Sequence, residues 1–492
     1  MTATRLYGNW LRPKTLNVRG LGWRGLLAVV GSYFFGLALL QSAPKAGLSL
    51  LLACLAVTSV AAIRVNGLGL GETLVGKGRW WWAQTSSSTR FLAVRSGSWA
   101  LPGALHGTQM VPVEIAGRSY GAVHDARARR IAVTFELAST AADLTDQQDH
   151  DLSVGRWERW LEGLGRRPEI AWVNVTVETS PSMGGQLREN IHGRLSLFGP
   201  TDCTDLMRRL AEVSPTVAAK TTTRLTVVFD LRAWDAQVGG AGRRKGITSY
   251  LPVLDRSITS LAASLNGCGV SVLRIASADV LGGLVRAAFD PSAELQIELA
   301  LATGERELPR WEMAGPSYAY EMRDHYVHDG ATSVSFVWAQ APQQLVTSRV
   351  LDALMRPGQC RKRVTVTYVA TPTHEAMDVA TAQVRWRWFA QMIARLPIVG
   401  RATTAADDRE AQAAEQATRE VAAGAGWVSA TVTATVTVLD PDALPSAVAE
   451  LEHAAGASQL RLRRLYELQA AGFLVGLPVG LSLTELARRW SR

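Results

Sequence analysis

The sequence predicts a membrane-anchored α+β protein in which an N-terminal two-helix transmembrane hairpin precedes two or three α/β sandwich lobes. Two observations predict this fold class. The chain carries no charge between Arg24 and Lys45, nor from Ala46 to Ile63, and each run has about the twenty residues that a helix needs to cross about 30 Å of hydrocarbon. After residue 96, segments with strand-like alternation follow segments with helical spacing, which is typical of α+β domains.

The transmembrane hairpin is predicted to span residues 25–43 and 46–63, with a turn at Pro44. Basic residues without any acid precede the first span, and basic residues with one acid, Glu72, follow the second. Because basic flanks stay on the cytoplasmic side, we expect a multi-pass protein of the inner membrane with both termini in the cytoplasm. A cleaved signal peptide is the alternative, since a basic start, an apolar run and small residues near Ser42 also describe one.

Aromatic and basic residues flank the predicted hairpin on both sides. Trp10 and Arg12 precede the first span, and Trp80, Trp81 and Trp82 follow the second. Such residues are typical of the headgroup layer, so we expect these five to contact membrane lipid. For the three tryptophans, a hydrophobic contact within the first folded region is an equally good interpretation.

The composition is that of a globular protein. The 492 residues are 47% hydrophobic and 19% charged, and they are enough for two or three domains beyond the hairpin. The net charge of +9 suits an anionic membrane surface and would tolerate nucleic acid, a partner that is possible but not supported by any motif. The four cysteines are far apart and form no CxxC pair, which is typical of a reducing cytoplasm.

The chain is divided, by this interpretation, into a cytoplasmic N-terminal segment (1–24), the hairpin (25–63), an interfacial segment (64–95), a first α+β region (96–300) and a second α+β region (310–492). In the first region the pattern predicts strands at 111–115, 130–137, 170–178, 224–230 and 270–275, and helices at 144–165, 202–213, 250–265 and 278–289. In the second it predicts strands at 320–326, 333–338, 363–369, 427–438 and 459–465, and helices at 346–354, 371–396, 404–424, 441–455 and from 482. Strand 427–438 alternates strictly, with one apolar face and one face of threonines.

Two motifs resemble ligand sites but lack a necessary feature. Gly71–Gly78 matches a phosphate-binding loop as far as Lys77, and then has glycine in place of the Ser or Thr that binds magnesium. His325 and His328 are three residues apart, so on a strand their imidazoles would point to opposite faces. The sequence therefore predicts no catalytic, cofactor-binding or metal-binding residue, no cofactor and no enzyme.

Cations are clustered at two places, and clusters of cations with aromatic residues are typical of proteins that bind single-stranded nucleic acid. One place is Arg361–Arg363, and the other comprises Arg385, Arg387 and Trp388. On a helix, however, Trp388 serves equally well as a core residue, with the arginines in solvent. We therefore favour a structural role, or contact with a protein partner, over nucleic-acid binding.

Several stretches of the chain resemble a known family. They are Tyr7–Pro13, Arg118–Gly121, Val173–Thr179 with Arg188, Trp311–Pro342 and Arg361–Tyr368. Together they resemble a family of actinobacterial integral membrane proteins of conjugative and integrative elements. The resemblance implies the small inner-membrane subunit of a type IV secretion system fused to the amino-terminal domain of its transport ATPase. Tyr466–Pro478 is similar to the end of that ATPase domain, but no Walker loop follows, so the resemblance implies no ATP hydrolysis.

By this resemblance the expected function is a non-catalytic inner-membrane scaffold of a conjugative, type IV secretion-like system. It would dock a transport ATPase and contact other subunits of the secretion complex, with Arg385, Arg387 and Trp388 as the expected anchors. One alternative is an accessory membrane subunit of an actinobacterial type VII secretion system. Another is a membrane-tethered enzyme whose site is assembled from scattered residues.

Overall fold

In a computed structural model of the protein, the chain forms two compact units. The structure describes residues 7, 17–18, 21–62, 64–65, 68–86, 89–93, 101–115, 117–139, 146–181, 200–213, 219–239, 246–303, 308–340, 342, 344–372, 375, 377, 381, 415–416, 418–419, 421–422 and 426–490. The sheet unit comprises residues 1–10, 90–377 and 420–492, and the helical unit comprises residues 11–89 and 378–419.

Between residues 17 and 85, the described part of the helical unit contains three helices and two short strand pairs. Its elements are β1 (Asn17–Val18), β2 (Leu21–Gly22), α1 (Trp23–Ser42), α2 (Pro44–Ala62), β3 (Arg64–Val65), β4 (Leu68–Gly69) and α3 (Leu70–Thr85). Helices α1 and α2 pack against each other. A Cβ atom on Gly47 would lie 2.7 Å from the backbone nitrogen of Leu40, so glycine permits this close approach.

None of the helices in the described part of the chain is both long enough and apolar enough to cross a membrane. The predicted transmembrane hairpin, the membrane-anchored fold class and the multi-pass inner-membrane location are therefore wrong. The prediction relied on the absence of charge, which is a weaker indication of a membrane-spanning helix than high hydrophobicity is. Polar residues interrupt the uncharged runs, among them Ser32, Tyr33 and Gln41 in α1 and Ser49 in α2.

The described residues of the sheet unit form one sheet of thirteen strands. They are β5 (Arg90–Leu92), β6 (Thr108–Ile115), β7 (Arg118–Asp125), β8 (Arg130–Ser139), β9 (Ile170–Pro181), β10 (Ala219–Asp230), β11 (Val270–Ile275), β12 (Tyr318–Glu321), β13 (Tyr326–His328), β14 (Ala331–Gln340), β15 (Arg361–Thr371), β16 (Trp427–Val438) and β17 (Arg461–Arg464). Its helices are α4 (Gln147–Leu164), α5 (Thr201–Val213), α6 (Asp235–Gly239), α7 (Leu251–Asn266), α8 (Ala278–Phe289), α9 (Glu294–Thr303), α10 (Asp352–Met355), α11 (Leu444–Ala457), α12 (Gln469–Val475) and α13 (Leu483–Trp490).

All the pairs within this sheet are antiparallel, in the order β5-β12-β13-β14-β16-β15-β9-β10-β8-β7-β6, with β11 beside β8 and β17 beside β14. The prediction of two or three separate lobes is wrong, because β9 of the first predicted region pairs with β15 of the second. Val175, for example, lies opposite Val366. The predicted boundaries of the regions stay a prediction.

The two faces of the sheet differ in chemistry. Along β16, Val432, Ala434 and Val436 lie on the apolar face, while Thr433 and Thr435 lie on the other, as the alternation predicts. Helices α4, α7 and α11 cover the apolar face. Helix α8 and the C-terminal segment (residues 469–486) cover the face with the threonines, which we call the polar face.

Many side chains of the polar face are buried, and several of their polar groups bond to one another or to the C-terminal segment. Hydroxyl groups of neighbouring strands pair directly, for example those of Thr176 and Thr365 at 2.9 Å. Asn174 donates to the carbonyl oxygen of Leu481 at 2.7 Å. Gly480, with φ of +72°, allows the C-terminal segment to pass close above the sheet. Burial of these particular polar groups is tolerated because they have partners.

Candidate functional site

The candidate functional site is a cleft of about 380 Å³ at one end of the polar face. Strands β8, β9, β10, β11 and β15 contribute the charged floor, and helices α8 and α9 contribute a wall with Val280, Leu284, Ile297 and Leu301. Leu273 interrupts the register of β11 with β8, and its side chain is 65% exposed at the rim. The cleft therefore joins an apolar wall to a charged floor.

Strand periodicity places the charges on one face. In β10, Lys220 and Arg224 are four residues apart and point to the same side of the sheet. Glu178 of β9 lies opposite Thr222 of β10 and also opposite Arg363 of β15. Three strands that are distant in sequence thus bring a carboxylate and several cations together.

Glu178 is the centre of the charged cluster. Its carboxylate accepts a hydrogen bond from Arg224 Nη1 at 2.6 Å. Arg361 Nε lies 3.6 Å and Arg363 Nε 4.0 Å from the other carboxylate oxygen. Burial alone would raise the pKa of Glu178, but the three guanidinium groups together hold it far below its ordinary value. Glu178 is therefore ionised at neutral pH.

Two further carboxylates on α9 pair with the outer cations. Arg361 forms an ion pair with Glu294 and also donates to the carbonyl oxygen of Ala287 at 2.7 Å. Lys220 forms an ion pair with Glu298. Burial lowers the pKa of the Lys220 ammonium group, although the carboxylate of Glu294 acts in the opposite direction.

Arg363 is the most buried member of the cluster. Its side chain is 1% exposed, and its guanidinium carbon lies 4.5 Å from the centre of the Phe473 ring. None of its three side-chain nitrogens has a hydrogen-bond partner among the described residues, and the same holds for Arg224 Nε. Burial lowers the pKa of Arg363 to about 10, so it still carries its charge at neutral pH.

The cluster as a whole carries one excess positive charge. Its four cations are Lys220, Arg224, Arg361 and Arg363, and its three carboxylates are Glu178, Glu294 and Glu298. At the rim, Arg274 and Glu136 form a further, neutral pair with a distance of 2.7 Å. The charges that line the cleft therefore balance, and the one excess positive charge belongs to Arg363, which lies outside the lining with its Nε 4.0 Å from the Glu178 carboxylate.

His328 belongs to a separate, enclosed hydrogen-bond chain. Its Nδ1 lies 2.6 Å from the carbonyl oxygen of Phe289, and its Nε2 lies 2.8 Å from Ser333 Oγ, which in turn bonds to Thr437. Burial lowers the pKa of His328 to about 3, so the imidazole is neutral. Because His328 and Ser333 are fully buried, this chain stabilises the core and offers no access to a substrate.

Glu321 is a second carboxyl group with an unusual environment. Burial raises its pKa to about 7, although the backbone N–H groups of Ala470 and Gln469 act in the opposite direction. The hydrogen bond from Ala470 N measures 2.9 Å. Glu321 thus holds the first turn of α12 at the start of the C-terminal segment.

The structure describes only part of the residues that the sequence predicted as sites. Trp10 and Arg12, and the predicted partner anchors Arg385, Arg387 and Trp388, lie outside the described residues. In the helical unit, α3 carries Trp80, which is half-buried, and Trp81 and Trp82, which are exposed. Their contact with lipid stays a prediction.

The two motifs with incomplete ligand patterns have ordinary structural positions. Residues 71–78 form part of α3, so Lys77 lies on a helix and not in a phosphate-binding loop. His325 precedes β13 and contacts Asp324 at 2.9 Å, whereas His328 lies inside the core. Within the described residues, no group of three or more potential ligands could hold a metal ion.

Sequence reasoning did not predict the cluster around Glu178, since it noted Arg361 and Arg363 only as part of a basic run and missed the other members. The available signal was a charged residue within a strand of otherwise apolar and threonine residues, as in Val173–Thr179 and Thr221–Phe229. Such a residue is more often exposed on the solvent face of a sheet. Only the burial of the polar face turns it into a site.

Comparison with known proteins assigns no family to the chain. No family model matches it. A search of curated proteins also gives no match.

Proposed function

We propose that the protein is a non-catalytic scaffold of a conjugative, type IV secretion-like system, which binds a transport ATPase through its surface. The proposal depends on the resemblance of Arg118–Gly121, Val173–Thr179, Trp311–Pro342 and Arg361–Tyr368 to the family described above. Two of these stretches lie in neighbouring strands, since Val173–Thr179 belongs to β9 and Arg361–Tyr368 to β15.

One structural observation supports a binding role over a chemical one. In the cleft, each carboxylate contacts a cation, and Glu178 is held ionised by three guanidinium groups. A carboxylate with a strongly lowered pKa is a poor general acid or base at neutral pH. The cluster instead fixes the relative positions of β9, β10, β15 and α9, as a scaffold requires.

The test uses the full chain, because β14, β15 and β16 share the sheet with β9 and a truncation at residue 310 would remove them. Affinity-tagged protein is recovered from a lysate of the native host, and co-purifying proteins are identified by mass spectrometry. We compare the native chain with an Arg385→Glu, Arg387→Glu, Trp388→Ala variant. Arg256→Glu with Arg461→Glu, at two exposed positions of the sheet unit, is the charge-matched control.

We expect a transport ATPase to co-purify with the native chain and with the control, and its yield to fall at least about tenfold with the triple variant, since such anchors are worth more than 1 kcal/mol each. Equal recovery with the triple variant would place the docking surface elsewhere. Recovery of type VII export subunits, with no ATPase of a conjugation system, would contradict the proposal.

A further inference from the structure

We propose that the cleft binds a ligand with an apolar body and a single carboxylate. The carboxyl terminus of a polypeptide with apolar last residues and a free medium-chain organic acid share this chemistry. The inference concerns the cleft alone and does not depend on the identity of any partner protein.

The first argument is the charge of the cluster. Four cations face three carboxylates, so one positive charge remains without a counterion. A buried charge is costly unless it is paired, and one anion in the cleft would compensate it. A ligand with several negative charges would reverse the imbalance and would also meet Glu178, Glu294 and Glu298.

The second argument is the set of unused donors. Arg224 lines the cleft, is 6% exposed, and has an Nε–H without a partner among the described residues. All three side-chain nitrogens of Arg363 are also unpaired within the described part of the chain; this residue lies outside the lining, with its Nε 4.0 Å from the Glu178 carboxylate. Buried donors without partners are rare in proteins, and a carboxylate supplies strong acceptors for guanidinium groups.

The third argument is the shape and the apolar wall. The volume of about 380 Å³ lies at the lower end of the range for small-ligand sites. Leu284, Ile297 and Leu301 line one side, and the exposed Leu273 stands at the rim. An apolar body packed against this wall places a terminal carboxylate over the charged floor. The ligand is therefore small, apolar at one end and anionic at the other.

The experiment measures binding to the full chain by isothermal titration calorimetry. The probes are N-acetyl-Ala-Leu-Leu as the free acid, the same peptide as its amide, and octanoate. Two variants test the site. Leu284→Trp fills the cleft from the wall, and Arg363→Met removes the excess charge of the cluster without replacing a residue that lines the cleft. Arg256→Gln, at an exposed position outside the cleft lining, is the control, and thermal unfolding checks that each variant is folded.

We expect at least one of the two acids to bind. If the peptide acid binds, its amide should bind at least about tenfold more weakly, because it lacks the carboxylate. Leu284→Trp is expected to abolish binding and Arg363→Met to weaken it, while Arg256→Gln leaves it unchanged. Binding of octanoate as tight as that of the peptide acid identifies a free acid as sufficient, and binding of the peptide acid alone identifies a polypeptide terminus.

Three results would overturn the proposal. The first is an absence of binding by both acids at millimolar concentration. The second is equal affinity for the peptide acid and its amide, because the carboxylate would then contribute nothing. The third is unchanged binding to a folded Leu284→Trp variant, because the ligand would then lie outside the cleft.

Discussion

Replacement of Glu178 by glutamine would leave three buried arginines without the carboxylate that they share. Glutamine has nearly the same shape, so the change removes a charge and little packing. Arg224, Arg361 and Arg363 would then face one another across β9, β10 and β15, with Glu294 as the nearest remaining counterion of Arg361. We expect Glu178→Gln to lower the free energy of unfolding substantially.

The distances give the scale of this loss. At 2.6, 3.6 and 4.0 Å from the three arginines, the carboxylate gains about 6, 5 and 4 kcal/mol of Coulomb attraction at an effective dielectric constant of about 20. Desolvation of the four ions offsets much of this gain, at several kcal/mol for each ion. A net loss of about 3–5 kcal/mol is therefore expected, as for other buried ion pairs that lose one partner.

The assay is urea unfolding of the full chain near neutral pH, with Glu136→Gln as the matched control. Glu136 pairs with Arg274, whose side chain is 61% exposed, so this control should cost no more than about 1 kcal/mol. Arg363→Met supplies the opposite test. Because the Arg363 nitrogens have no hydrogen-bond partner among the described residues, we expect this variant to be as stable as the native chain or more stable.

A Glu178→Gln variant that is as stable as Glu136→Gln would refute the reasoning. If Glu178→Gln proves too unstable to study alone, the double variant with Arg363→Met decides the question. Removal of the excess cation should restore part of the lost stability, since the two residues interact directly. A double variant no more stable than Glu178→Gln would show that repulsion among the arginines is not the cause of the loss.

Three further predictions concern other parts of the molecule. Burial raises the pKa of Glu321 to about 7, so the native state holds this proton more tightly than the unfolded state does. The contribution of Glu321 to the free energy of unfolding should therefore fall by about 3 kcal/mol as the pH rises from about 4.5 to about 7. In urea unfolding across this pH range, the Glu321→Gln variant should show a shallower decline than the native chain. Gly480→Val should lower the free energy of unfolding by about 2–4 kcal/mol, as measured by thermal or urea unfolding, because φ of Gly480 is +72° and a Cβ atom there would lie 2.5 Å from Cβ of Ala132. As a control, Gly456→Ala in α11 places a methyl group in free space and should be neutral or stabilising. Purified protein should hydrolyse no ATP, since Lys77 lies within α3, and turnover that disappears with Lys77→Ala would contradict this.

Elements with a strong local period could be predicted from the sequence. Strand β16 was predicted at the residues where it is found, because from Val428 onward valine or alanine alternates with serine or threonine without interruption. Helix α8 was also predicted correctly, and its start is fixed by Ser277, whose hydroxyl accepts a hydrogen bond from Val280 N. Helix α12 was missed, since Gln469–Val475 is short and almost entirely buried and so has no polar face to reveal its period.

Two of the wrong predictions, the transmembrane hairpin and the separate lobes, have different physical origins. The transmembrane hairpin was predicted from uncharged runs, in which residues such as Tyr33 and Gln41 are uncharged but polar. The separate lobes were predicted because strands close in sequence usually pair with one another. The pairing of β9 with β15 instead joins segments that are almost two hundred residues apart, and no local sequence pattern predicts such a pairing.

The stretch Arg361–Arg363 shows why the candidate site could not be predicted. As three consecutive basic residues, it suggests an exposed patch for nucleic acid. The structure instead buries all three side chains, and strand alternation divides them between the two faces of the sheet. Lys362 points away from the other two and donates to the carbonyl oxygen of Arg356 at 2.6 Å.

Arg361 and Arg363 reach Glu178 only because β9 lies beside β15. The chemical meaning of a basic run therefore depends on which strand becomes its neighbour. For this stretch, the buried guanidinium groups cannot reach a phosphate backbone, so the structure argues against nucleic-acid binding here. The same groups, held beside an open cleft with one charge uncompensated, are suited to a single small anion.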